Sequence, residues 1–141
     1  MKVRNNNYKK DVEAVFREAT FIRDLGIKLI DVEPGRCRAE VQVSPAHLQH
    51  LHRVHGGVIS SLAGHAALGA AISVASEGDV LVAPEFTFQM FRGVESGLLQ
   101  TKARVIKGGA LLIFTEAEVF YRDTAGEHLV AKGNFTFTRA R

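Results

Sequence analysis

The sequence predicts an α+β domain in which an antiparallel sheet curls around one long central helix. Three observations predict it. An uncharged segment rich in Gly, Ala and Ser runs from residue 56 to about residue 76. Four strand-like runs follow it, separated by turn-forming residues. A regular alternation of small apolar and polar residues precedes it at 36–43.

Taken in order, residues 11–19 read as a short amphipathic helix with Val12, Val15 and Phe16 on one side. Residues 21–26 read as a turn that Gly26 stops. A strand at 27–32, a Glu33-Pro34-Gly35-Arg36 turn and a strand at 36–43 form a β-hairpin. In its second strand Cys37, Ala39, Val41 and Val43 face one way, and Arg36, Arg38, Glu40 and Gln42 the other. A histidine-rich loop spans 44–54, and the long helix follows over 57–76. Ala63, Gly64, Ala66, Ala67, Gly69, Ala70 and Ala71 keep that helix small on nearly every side. Such a helix is weakly amphipathic and is best enclosed, and small residues let a sheet pass close to it. Glu77-Gly78-Asp79 ends it, with both acids expected in solvent. The runs 80–91, 98–106, 111–122 and 129–138 then read as a meander, giving a sheet of five or six strands. The chain divides into an N-terminal segment, 1–20, and a single domain, 21–141.

Composition narrows the partners. A hydrophobic share of 46% and a charged share of 23% are those of an ordinary soluble protein. The net charge of +3 is spread among acids, which argues against a nucleic-acid face. Cys37, the only cysteine, reads as a small core residue suited to a reducing compartment. Residues 1–10 are polar with no apolar run behind them, so no secretory signal and a cytoplasmic location are expected. The uncharged segment is long enough to be weighed as a membrane span. Its Gly, Ala and Ser content and the central His65 favour a buried helix instead.

The candidate site begins at His55-Gly56-Gly57, where the chain enters the helix. Glycine lets a ligand approach the backbone closely, and a helix N-terminus presents N–H groups at its positive end. A carbonyl oxygen gaining negative charge is stabilised by such donors. His55 reads as a positioning residue. Gln49 reads either as a group that orients water or substrate or as an exposed loop residue. Ser60 and Ser61 offer hydroxyls in the first helical turns, with no obvious base to activate them. His65 reads as a satisfied core histidine or as a displaced general base. Glu85 is the nearest acid on the following strand, and alternation turns it away if Phe86, Phe88 and Met90 face the helix. The spacing of His47, His50, His52 and His55 fits no zinc pattern, so no metal is expected.

These features, with Leu25-Gly26-Ile27, Pro34-Gly35-Arg36, the block running from His55 to Ala63, the block from Glu85 to Arg92, and Val105-Ile106-Lys107-Gly108-Gly109, resemble the hotdog-fold acyl-CoA thioesterases. The resemblance is to the phenylacetate-degradation, or PaaI-like, branch and covers residues 21–138. It implies a homodimer or dimer of dimers whose sheets join edge to edge, with active sites at the shared interface. It implies that the Gly56 N–H polarises a thioester carbonyl while Gln49 helps place water or the acyl group. Gly57, Ser60, Ser61 and Gly64 would line the substrate. It also implies an Asp or Glu on the partner's helix, acting as base or nucleophile, and that acid falls at Gly64. The expected function is therefore hydrolysis of acyl-CoA or a related thioester without a cofactor, slow because Gly64 has no carboxylate. The alternatives are a non-catalytic acyl-ligand binding protein that kept the pocket and a purely structural oligomer. The Asp/His motif of hotdog hydratases is not found.

Overall fold

The structure, a computed structural model, describes residues 1–140; Arg141, the end of the expected domain, lies outside the described residues. Helices α1 (Tyr8–Glu18) and α2 (Thr20–Leu25) precede a hairpin of β1 (Lys28–Glu33) and β2 (Arg36–Gln42). Helix α3 (Gly56–Ile72) follows, and then β3 (Leu81–Met90), β4 (Leu98–Gly108), β5 (Leu112–Asp123) and β6 (Gly126–Arg139). The six strands form one antiparallel sheet in the order β1-β2-β4-β5-β6-β3.

That order corrects the expected meander. β4, β5 and β6 do run as a meander, but β3 pairs with β6 at the far edge. Turn length explains the difference. The hairpin turns hold adjacent strands together, whereas residues 91–97 form a linker long enough to cross the molecule. Two backbone hydrogen bonds fix the crossing: Val54 N–H donates to Val94 O at 2.8 Å, and Val43 N–H to Gly97 O at 2.8 Å. β4 is thereby delivered to β2, where Arg36 to Gln42 pair in unbroken register with Arg104 to Leu98.

The core lies between the sheet and α3. Leu99, Thr101, Ala103 and Val105 of β4 and Ile113, Thr115, Ala117 and Val119 of β5 are buried on this side. Every residue of α3 except Gly57 is buried or half-buried, as a helix of small residues requires. Gly69 shows why: a Cβ there would stand 2.7 Å from Cys37 Sγ and 3.2 Å from Val12 Cγ1. Cys37 is buried as expected, and burial pushes its thiol up to about 12, which makes it a poor nucleophile. α1 covers the opposite side of α3, laying Val12 and Phe16 into the same core.

Three local expectations change. Residues 21–26 are not a simple turn but the helix α2, which Gly26 caps in the left-handed conformation at φ 79°. Burial of Ile22 gives this short helix its tertiary anchor. α3 ends at Ile72, four residues early, where the Ser73 hydroxyl donates to Ala70 O (2.6 Å) and accepts from Gly35 N–H (2.7 Å). Asp79 is not a free solvated acid: it accepts from Arg139 Nε at 2.8 Å and from Ser76 N–H at 3.0 Å, tying the start of β3 to the end of β6.

Candidate active site along helix α3

The first turn of a helix leaves backbone N–H groups without intrahelical acceptors. At α3 His55 satisfies two of them, those of Gly57 and Val58, and takes the first regular helical bond from Ile59. Its Nδ1 accepts from Gly57 N–H at 2.8 Å, and its carbonyl accepts from Val58 N–H (2.9 Å) and Ile59 N–H (3.4 Å). Because Nδ1 accepts, the neutral ring carries its proton on Nε2. The Gly56 N–H is left over: among the described residues it donates to no acceptor. The Met90 side chain lies against this position, and a Cβ at Gly56 would meet its Cε at 2.9 Å and Sδ at 3.1 Å. A bare donor at the positive end of the helix therefore sits beneath a movable thioether.

The preceding loop is braced by its own polar side chains. His47 Nδ1 accepts from Ser44 N–H at 3.1 Å, so its Nε2 donates to Leu25 O at 2.7 Å. His55 N–H in turn donates to His47 O at 2.8 Å, tying the α3 entrance to this anchor. Gln49 Oε1 accepts from Leu51 N–H and from Arg53 N–H, the latter at 3.4 Å. Its backbone N–H donates to Arg53 O at 2.7 Å, and His52 takes a positive φ of 63° within that tight loop. Gln49 is half-buried, and its side-chain oxygen is engaged by the loop while its NH₂ group remains available to a ligand. Among the described residues, no group of three or more His, Cys, Asp or Glu side chains is gathered as metal ligands.

Gly64 stands eight residues after Gly56, or about 12 Å further along the helix. A Cβ there would meet Phe135 Cε2 at 3.1 Å. A Cβ at Gly133 of β6 would meet Phe135 Cε1 at 3.0 Å, so the ring fits between two glycines. Phe86 of β3 stacks on it with centroids 5.2 Å apart and planes at 19°. The space beside the position of the expected acid is filled by an aromatic pair. In front of that pair lies a groove of about 340 Å³ lined by Ser60, Ser61, Gly64, His65, Ala83 and Phe86, among others.

His65 faces α1. Its Nε2 lies 2.9 Å from Val15 O, and its ring meets Phe16 edge-on at 4.6 Å. Burial lowers its pKa, which holds the ring neutral and its Nε2 proton on that carbonyl. Glu85 is exposed and accepts from the Thr136 hydroxyl at 2.5 Å, whereas Phe86 reaches the groove. The structure thus gathers Ser60, Ser61, Gly64 and His65 around one groove, with Gly56 and Gln49 outside it at the helix entrance. Phe135 and Gly133 were missed by sequence reasoning. The available signal was a glycine two residues before an aromatic in the last strand, since glycine within a strand often marks a close approach.

The profile of the Thioesterase superfamily matches residues 51–128, more than half of the chain, and the chain belongs to that family. Its fold is the hotdog fold. A thioesterase family protein from Silicibacter pomeroyi superposes with a TM-score of 0.89 at 23% identity, covering 94% of this chain and 97% of that one. The PaaI protein from the phenylacetic acid degradation operon of Escherichia coli gives 0.80 at 22% identity, covering 94% and 92%. A mutant of the phenylacetic acid degradation protein PaaI from Thermus thermophilus gives 0.76 at 25% identity, covering 85% and 98%. The PaaI-like resemblance read from the sequence therefore stands. No curated protein matches the chain.

Proposed function

We propose that the protein hydrolyses acyl-CoA or a related thioester, with the thioester carbonyl accepting from the Gly56 N–H. The bare donor at the start of α3 carries this reading. Water adds to the carbonyl carbon, the oxygen that gains charge is held by the N–H and the helix dipole, and collapse expels the thiolate. The products are the free acid and the thiol. The Gln49 NH₂ group, on the loop that leads into α3, serves as the donor that places the water or the acyl oxygen. His55 holds Gly57 and so keeps the entrance in shape, while Gly57, Ser60 and Ser61 flank the acyl path. We give His65 a supporting place as a groove wall, because its Nε2 is held by Val15 O. No cofactor is invoked.

A general base contributes about two to four orders of magnitude, and none stands at Gly64, so slow turnover is the expectation. One observation favours a second reading, a non-catalytic acyl-ligand binder: Phe135 fills the space beside the missing acid.

The assembly belongs to the same proposal. β3 pairs with β6 on one side only, and Val82, Phe86 and Met90 on it are about half exposed (47%, 53% and 54%). An unpaired edge with an exposed apolar face is normally covered, and a two-fold copy of the same strand covers it. We take residues 21–141 as one hotdog unit in a cytoplasmic homodimer or dimer of dimers. No helix among the described residues is long and apolar enough to cross a membrane.

The test is release of free thiol from a panel of acyl-CoAs, run beside light scattering at micromolar protein. Thiol release above the uncatalysed rate from a dimer or tetramer is expected. No release from any acyl-CoA would defeat the hydrolase, and a monomer would defeat the shared site.

A further inference from the structure

The groove beside Gly64 is apolar on nearly every wall and begins one turn beyond the Gly56 donor. Phe21 and Phe86 stand at it with 64% and 53% of their surface exposed, and Ala83, Leu68 and Phe135 are among its other apolar walls. Its only ionisable side chain is His65, whose Nε2 is already bonded to Val15 O. An acyl group carrying a carboxylate or an ammonium would find no partner of opposite charge along this lining.

β3 and α3 run alongside each other and supply matching rulers. Met90 lies against Gly56, and Phe86 stacks on the ring that touches Gly64. Four strand residues separate Phe86 from Met90, about 13 Å. Eight helical residues separate Gly56 from Gly64, about 12 Å. The same interval is therefore measured from both walls. An extended alkyl chain advances about 1.25 Å per carbon, from bonds of about 1.5 Å at tetrahedral angles. A carbonyl held at Gly56 thus brings the tenth carbon or so to the Gly64–Phe135 floor.

From this we infer that the groove takes an unbranched, uncharged acyl chain of about eight to twelve carbons, and that Gly64 and Phe135 set where its methyl end stops. The missing side chain at Gly64 lets the Phe135 ring close the end of the groove and leaves that end without charge. The inference rests on the thioester reading of Gly56, which fixes the carbonyl end.

The experiment is a chain-length series of straight acyl-CoAs from acetyl to palmitoyl, with succinyl-CoA and benzoyl-CoA as chemical contrasts. Both hydrolysis and direct binding by calorimetry are measured. Specificity is expected to rise about three- to fourfold per methylene up to roughly the decanoyl thioester and then level or fall. Gly64→Leu fills the floor and moves the optimum toward shorter chains. Ala83→Phe, on the exposed strand opposite, does the same and serves if the helix variant fails to fold. Hydrolysis with no chain-length dependence, or fastest with acetyl-, palmitoyl-, succinyl- or benzoyl-CoA, would overturn the groove assignment and leave the thioesterase standing. Chain-length-dependent binding without hydrolysis would support the groove and overturn the catalytic reading. An optimum unmoved in both folded variants would also overturn the groove assignment.

Discussion

At its first turn, α3 leaves one backbone donor bare and places only a flexible Met90 side chain over it; eight residues later the same helix leaves a bare glycine and seats a rigid aromatic ring against it. The two glycines differ in what surrounds them. Gly56 abuts the far end of a mobile side chain, so a ligand can displace its cover. Gly64 abuts Phe135, itself held by Phe86 and by the space at Gly133. The first arrangement keeps a polar group available, and the second removes polarity altogether. A site built on this helix therefore has a donor end and an apolar end, with no acid between them.

The comparison breaks most sharply at the donor. Gly56 is the first helical residue, where proline fits well, and His55 at φ −60°, ψ 136° has the extended conformation that proline requires before it. Gly56→Pro removes the N–H while keeping the helix start. We expect an unchanged melting temperature within a few degrees and a fall in kcat of about a hundred- to a thousandfold. A folded Gly56→Pro enzyme with full turnover would remove the donor from the mechanism.

At the apolar end the effect comes next. Gly64→Asp would drive its Cβ to 3.1 Å from Phe135 and bury a carboxylate beside it, costing about 1–3 kcal/mol and giving no faster hydrolysis. Gly64→Asp combined with Phe135→Leu makes room for the acid and should raise turnover about a hundredfold above the wild type. Acceleration in the single variant would show that the ring does not govern this end; none in the folded double variant would show that the site lacks the inferred geometry.

Two smaller effects sharpen the contrast between polar and apolar surroundings. His55→Ala removes the side-chain acceptor of Gly57 N–H and should cost about 1 kcal/mol. That lowers the melting temperature by a few degrees. Retention of full stability would mean that the cap contributes nothing. His65 responds to pH. Its folded pKa is lowered by burial, so the unfolded chain takes up a proton first as pH falls below the usual value of about 6.5. Its contribution to stability is full above that pH and is lost as pH falls through the lowered folded value. His65→Gln should flatten this part of the melting-temperature profile between pH 7 and 5, and an unaltered slope would place the titration elsewhere.

The elements were largely legible because each follows a local rule. Alternation marked β2, the Pro34-Gly35 step marked its hairpin, and the run of small residues marked an enclosed helix beginning within one residue of Gly56. The position of β3 was not legible. Its pairing with β6 depends on a linker, residues 91–97, whose path is set by hydrogen bonds from Val54 and Val43, residues far away in sequence. α2 is not legible as a helix for a related reason. Six residues are too few to show a helical period, and its Ile22 anchor is a tertiary contact.

The sequence by itself determined the α+β class, the His-Gly-Gly entrance and the vacancy of side chain at Gly64, because these are properties of residue identity and period. Only the tertiary structure decided which first-turn N–H stays bare, since that depends on which atoms His55 turns toward it. It also decided what replaces the missing carboxylate. Phe135 reaches Gly64 across 71 positions of chain, and no local pattern encodes a contact made by bringing the last strand beside the central helix.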